Sequence, residues 1–343
     1  MAQEVSTLPY KNVIITGTAG FIASHLAKFL VRKYPQTQFY GIDKMSYCSD
    51  VKRMAEYIDD ANFTFIPIDC CNAESVSAIL QLYDIDCIIH LAAYTAVDMS
   101  FNDSVIYSKN NVVGTHVLLE CARQYGKIRR FMHMSTDEVY GPTESPADEQ
   151  TLFAPTNPYA ATKAAAEMIC QSYIRSYKMP IVITRANNIY GPFQHNEKVI
   201  PKFMTQMLNC EPITIHGGGE VVRNFLHVES FCNAYDKIIH DGVEHEVYNI
   251  GTDFEISIKD LAYKMKYELR HNTMLYNKLT DKQKQWINQS DDMVIIHVDD
   301  RIFNDTRYAL NIDKIRALGW DDDYDFNEHL VDVMLNHMHR VGQ

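Results

Sequence analysis

Short apolar runs alternate with amphipathic stretches over the first 190 or so residues. KNVIITG (11–17), FYGID (39–43), FTFIPID (63–69), CIIHLAA (87–93), RFMHMST (130–136) and IVITRANNIYG (181–191) have strand length and almost no polar face. That pattern predicts strands covered on both sides. Between them, helical spacing runs from after Gly20 to about Tyr34, through AESVSAILQLY, over 104–125 and over 158–177, the last opening at or just after Pro158. The alternation predicts an α/β fold, a doubly wound parallel sheet of Rossmann type. After Gly191 the rhythm breaks. Helical patterns at 197–209, 228–240 and 257–270 are separated by the strand-like ITIHG and EVYNIG, and the polar stretch 276–293 reads as a partly helical surface insertion. This predicts a first domain over 10–191, to which segments around 223–250 return, and a smaller mixed lobe over 192–343, with a cleft between them.

Composition narrows the function classes. The chain has 343 residues, enough for one large core or two domains. A formal charge of −12 argues against an extended nucleic-acid surface but leaves room for a local anion pocket. The N-terminal MAQEVSTLPYK lacks the basic flank and apolar core of a signal peptide, and no stretch has the length of a membrane span. The 8 Cys include no CxxC pair, so reduced thiols and a cytoplasmic location are expected. The 14 His form no metal-ligand spacing, and no metal is expected. HGGG at 216–219 lacks a GxSxG partner and reads as a turn.

Gly17-Thr18-Ala19-Gly20-Phe21-Ile22-Ala23 fits GxxGxxA between the first strand and the first helix. Small residues there permit a tight turn and a close phosphate approach to the helix N-terminus. Asp43 ends the second strand, 23 residues after Gly20, where a carboxylate pairs with ribose hydroxyls and repels a 2′-phosphate. NAD is therefore expected over NADP, held by Gly17, Gly20, Phe21, Ile22 and Asp43. Asp69 is a candidate adenine contact, and Ala92 and Ala93 let a cofactor pass close to the fourth strand. Tyr159 and Lys163 form YxxxK, whose i,i+4 spacing sets both on one helix face. Such a pair suits proton removal from a hydroxyl while hydride leaves for NAD, with the ammonium lowering the phenol's pKa. STDEVYG places Asp137 beside Glu138 where the fifth strand ends. Two adjacent acids there either face water or share chemistry.

These pieces together resemble the extended short-chain dehydrogenases/reductases, and within them the nucleotide-sugar 4,6-dehydratases. TGTAGFIASHL, DKMSYCSDVK, HLAAYTAVDMSF, NNVVGTHVLLE, STDEVYG, PTNPYAATKAAAE, NNIYGPFQHNEKVIPKF, RNFLHV, YNIG and DDRIFNDTRY carry the resemblance in order along nearly the whole chain. It implies that Glu138 removes the C5 proton of a 4-keto sugar, Asp137 protonates the leaving C6 hydroxyl, and Thr136 bonds the C4 hydroxyl. Tyr159 and Lys163 would serve the redox steps, and Thr95 and Asp98 would lie near the nicotinamide or sugar. It also implies nucleotide or pyrophosphate contacts from Asn187 and Asn188 (Asn188 favoured), Lys198, Arg223, Asn249 and Arg301.

The expected substrate is dTDP-glucose or UDP-glucose, the product a 4-keto-6-deoxyglucose nucleotide on the way to rhamnose-like sugars. The expected assembly is a homodimer through a four-helix bundle built on 104–125 and 159–177. The chain departs from the family where it has Ala96 for His, Gly219 for Asp and Ile302 for Pro. A C4 epimerase or decarboxylase of the same fold, or a silent NAD-binding protein, are the alternatives.

Overall fold

Val13, Ile14 and Ile15 are all buried, so the strand they form, β1 (Asn12–Thr16), has to be covered on both faces. The computed structural model describes residues 7–300 and 305–341. In it, β1 lies inside a seven-stranded sheet with β2 (Gln38–Ile42), β3 (Phe63–Ile66), β4 (Cys87–His90), β5 (Arg130–Thr136), β6 (Ile181–Ala186) and the later strand Val247–Ile250. All neighbours pair in parallel, and the order across the sheet is Val247–Ile250, β6, β5, β4, β1, β2, β3. The order reverses between β1 and β4. In open α/β sheets a ligand crevice opens at such a point, outside the carboxyl ends of the strands.

Helix α1 (Phe21–Lys33) covers one face of the sheet, together with the helix Val228–Asp241; Leu26, Leu30, Phe231 and Tyr235 share its core. Three helices cover the other: α2 (Ala73–Leu82), α5 (Gly114–Tyr125) and α6 (Pro158–Tyr177), through Ile79, Leu80, Leu118, Leu119 and Cys170. The short α3 (Val97–Asn102) and α4 (Ser104–Tyr107) precede α5. The strand Val247–Ile250 is where the chain beyond Gly191 re-enters the first sheet. A second core, with Phe203, Met204, Leu261, Met265 and Leu330, gathers the rest of the chain into a mixed lobe. That lobe holds a three-stranded sheet (Glu255–Ser257, Val222–His227, Asn188–Tyr190) and a parallel pair (Ile295–Val298 with Ile213–His216).

Three elements differ from the sequence pattern. The sixth apolar run is two strands: β6 stops at Ala186, the buried Asn187 bonds the Ile250 carbonyl through its backbone N–H, and Asn188–Tyr190 joins the second lobe. The helix expected over 104–125 contains a π-helical turn at Ser108–Val113. That wide turn presents Asn111, whose amide bonds both the N–H and the carbonyl of Tyr94 and the hydroxyl of Thr162 on α6. The stretch 276–293 is not a mere surface insertion. It forms helical turns that bury Leu279 and Ile287 in the second core.

Candidate active site

A cavity of about 440 Å³ opens at the strand-order reversal and runs between the two lobes. Its first wall is the glycine turn. Gly17 has φ +79°, and a Cβ there would sit 3.0 Å from the Cα of Ala92, so only glycine lets β1 and β4 part this narrowly. A Cβ on Gly20 would meet the Gly17 carbonyl at 2.9 Å. Gly20 caps α1 without a side-chain bond, and no acid stands in the first turn. The free N–H groups and the helix dipole make this end a seat for phosphate. Asp43 closes the turn: it accepts from the N–H of Ala19 (3.1 Å), the N–H of Met45 (2.8 Å) and the Ser49 hydroxyl (2.8 Å). Three bonds on two carboxylate oxygens leave acceptor capacity for a ribose hydroxyl. Asp69 accepts from the N–H of Cys71 (2.9 Å) and lies on the same wall. Phe21, Ile22, Ala92, Ala93 and Thr95 line the cavity as well. These residues fit a dinucleotide.

The acid pair lies deeper. Thr136 ends β5, and Asp137–Tyr140 form a single 3₁₀ turn that aims both carboxyls into the cavity. Asp137 is buried; it accepts from the Asn187 amide at Oδ2 (2.8 Å) and meets the Thr136 hydroxyl at Oδ1 (3.0 Å). Burial first, and the neighbouring Glu138 second, push its carboxyl up to about 7. Glu138 is also raised by burial, but the Asn157 amide bonds its Oε2 (2.8 Å), and this bond, with the positive charge of Lys198 and Arg223, pulls the other way. Two adjacent acids thus have different polar surroundings.

Tyr159 and Lys163 lie on the first turns of α6, both buried and both facing the cavity. Here the electrostatics differ from the sequence expectation. Burial, then Glu138, hold the phenol above its ordinary value. The Lys163 ammonium donates to the Met134 carbonyl (2.6 Å) rather than to the phenol, and burial brings it down to about 8.

The second lobe supplies the opposite wall. Lys198 donates to the Thr95 carbonyl (2.8 Å) across the cleft, and Arg223 bonds the Val222 carbonyl (2.8 Å) and lies over the Tyr308 ring. Asp98, Asn187 and Asn188 also line the cavity, although the Asn187 amide is already committed to Asp137 and to the N–H of Thr252. Asn249 lies apart from the other expected nucleotide contacts. It is fully buried and is not part of the cavity wall; its amide accepts from the Tyr140 hydroxyl and donates to the carbonyls of Ala147 and Asn311. All of its polar capacity is spent joining chain segments. Arg301 and Ile302 lie outside the described residues. Ala96 is buried in the cavity wall. Gly219 has φ +76° and a Cβ there would strike Ile215 at 2.6 Å, which accounts for glycine where the family has Asp.

Sequence reasoning passed over three residues of this wall. Asn157 stood only within the stretch PTNPYAATKAAAE, with no role of its own. Asp305 and Tyr308, bonded to each other, lie within DDRIFNDTRY, where only Arg301 was given a role, and Asp305 also takes the Thr156 hydroxyl. Among the described residues no His, Cys, Asp and Glu group is placed to hold a metal ion, and no helix is long and apolar enough to cross a membrane.

The pattern that defines the family described as GDP-mannose 4,6 dehydratase matches residues 14–333. The chain belongs to the nucleotide-sugar 4,6-dehydratase family of extended short-chain dehydrogenases/reductases. Within this dehydratase family it is 42% identical over 334 residues to a trifunctional UDP-glucose 4,6-dehydratase/UDP-4-keto-6-deoxy-D-glucose 3,5-epimerase/UDP-4-keto-L-rhamnose-reductase of Arabidopsis thaliana, covering 96% of this chain and 48% of that protein. The chain thus spans about half the length of its trifunctional relatives. It is 39% identical to a dTDP-D-glucose 4,6-dehydratase of Dictyostelium discoideum, over 90% of this chain and 77% of that one. Its fold is similar to that of DesIV, a dTDP-glucose 4,6-dehydratase of Streptomyces venezuelae whose structure holds NAD and TYD, with a TM-score of 0.85, 30% identity, and coverage of 96% of this chain and 98% of that one. That family is one of NAD-dependent dehydratases and epimerases, and this chain is a member of it.

Proposed function

We propose that this chain dehydrates dTDP-glucose or UDP-glucose to the 4-keto-6-deoxyglucose nucleotide, with NAD as a recycled cofactor. The observation that carries this reading is the adjacent pair Asp137, buried, and Glu138, half-buried, each bonded by a different Asn amide and facing the same cavity as Tyr159 and Lys163. An epimerase needs oxidation at C4 but has no use for a second acid beside a base.

In this reading Tyr159 takes the proton of the C4 hydroxyl, which Thr136 orients. The buried Lys163 charge favours the phenolate that accepts this proton, and the neutral phenol results. Bound NAD supplies the hydride acceptor for C4 and the donor that later reduces C6. Gly17, Gly20, Phe21 and Ile22 would hold its pyrophosphate, Asp43 its ribose, Asp69 its adenine, and Ala92, Ala93 and Thr95 its nicotinamide half. Glu138 removes the C5 proton, made acidic by the C4 ketone, and Asp137 gives its own proton to the C6 hydroxyl, which leaves as water. Glu138 then returns a proton to C5. Asp137 held near 7 has a proton to give at neutral pH. Lys198, Arg223, Asn188 and Asp98 would anchor the nucleotide and sugar, with Asn187 reaching them through Asp137.

We also propose a homodimer. Val105, Ile106, Val113 and Met168, on α4 to α6 and the turn between α4 and α5, leave large apolar side chains exposed, a face suited to a second copy of the same helices.

The test is incubation with UDP-glucose and with dTDP-glucose, followed by mass spectrometry. Loss of one water, absent in Glu138→Gln, supports the dehydratase. Unchanged mass with both substrates, or a product that keeps its C6 hydroxyl and has inverted C4, overturns it. The initial-rate ratio ranks the two bases.

A further inference from the structure

Asn157 stands directly before Pro158 at the start of α6, buried and in the cavity wall. Its Oδ1 accepts the backbone N–H of Ala160 (2.8 Å), the bond that caps the helix. A backbone N–H only donates, so this bond fixes the orientation of the amide: the other end is the NH₂. That Nδ2 donates to Oε2 of Glu138 (2.8 Å). Asn187 repeats the arrangement on the neighbouring acid, with Oδ1 accepting the N–H of Thr252 (3.2 Å) and Nδ2 donating to Oδ2 of Asp137 (2.8 Å).

The two carboxyls differ in what meets their second oxygen. Oδ1 of Asp137 accepts from the Thr136 hydroxyl, a group that can turn to accept instead once Asp137 is protonated. Among the described residues Glu138 meets no such hydroxyl; its carboxylate is bonded by an NH₂ that only donates. A donor fixed on a carboxylate favours the charged form.

We propose that Asn157 is the positioning residue for Glu138: one amide keeps that carboxylate ready to accept a proton and ties it to the first turn of the helix that carries Tyr159. The designation of Glu138 as the base rests on the dehydratase reading; the effect of the amide on Glu138 does not. Because the same side chain spans the cap and the carboxylate, base and phenol hold their spacing as a unit.

Two substitutions separate this role from helix capping. Asn157→Ser and Asn157→Asp both keep a capping oxygen, so α6 retains its start. Serine is too short to reach Glu138, and aspartate replaces the donor with a negative charge. Infrared titration of the carboxyl bands, with Glu138→Gln subtracted from each protein, reads the Glu138 ionisation directly. It is expected to move to higher pH by about one unit or more in Asn157→Ser, and further in Asn157→Asp. The acid limb of kcat for dehydration moves up by the same amount while KM stays close to wild type. A Glu138 titration unchanged in both variants, or movement of Asp137 instead, overturns the proposal. A shifted Glu138 in a protein that dehydrates neither nucleotide sugar upholds the positioning role and sinks the dehydratase reading alone.

Discussion

Replacing Asp137 by Asn removes an ionisation while keeping the shape of a buried carboxyl and its bonds to Asn187 and Thr136. The folded-state pKa of about 7 lies above the ordinary 3.8, so between those values the folded protein holds a proton that the unfolded chain has released. Stability therefore falls as pH rises from about 4 to about 7 and is level above; the three-unit gap corresponds to at most about 4 kcal/mol. Asp137→Asn is expected to be more stable than wild type in urea melts above pH 7, with the difference gone at pH 4, and to lose dehydration. Glu138→Gln behaves differently: dehydration falls by about 10² to 10⁴-fold, while hydride removal at C4 persists and the absorbance of reduced cofactor accumulates. At this scale the chain was partly legible. DEVYG and YxxxK name their residues because the chemistry depends on adjacent or i,i+4 positions. The donors on the acids were not legible, because Asn157 and Asn187 meet Glu138 and Asp137 across 19 and 50 residues. The partners of Asn249 are as distant in the chain: Ala147 and Asn311 are 102 and 62 residues away.

One buried network joins the elements that bear the two halves of the chemistry. Arg185 on β6 makes a fully buried fork with Glu167 on α6, one turn beyond Lys163, and its Nη1 donates to the Tyr140 hydroxyl (2.6 Å) at the end of the acid-bearing turn. The guanidinium also lies over the rings of Tyr140 and Phe153. Removing one partner leaves a charge buried without its counter-ion. Arg185→Met is expected to lower stability by about 3–5 kcal/mol, read by urea melts, and Arg185→Met with Glu167→Leu to recover most of it. The strands and long helices were readable because apolar period follows from burial on one or both faces. The break after Ala186 was not, since nothing in the spacing of IVITRANNIYG ends a strand at Asn187 and its tertiary bonds turn the chain. The π-helical turn at Ser108–Val113 also lacks a local signal.

At the scale of the molecule, the cavity lies between lobes with separate cores, and the Lys198–Thr95 bond crosses it. Val113 and Met168 are about half exposed, at 47% and 49%. Met168→Lys together with Val113→Glu places charge on the face proposed to meet a second copy. Sedimentation velocity is expected to change from dimer to monomer, and an unchanged dimer would put the contact elsewhere.

The sheet order also has a consequence for the growing chain. β6 is synthesised well before Val247–Ile250, the strand that lies beside it. Until the ribosome has delivered that strand, β6 is an open edge of apolar backbone, available for mispairing with another nascent chain. The second lobe begins to emerge during that interval. Completion of the first sheet therefore waits on synthesis of part of its neighbour, so the two lobes cannot be separated by cutting the chain after Gly191 without leaving the sheet one strand short.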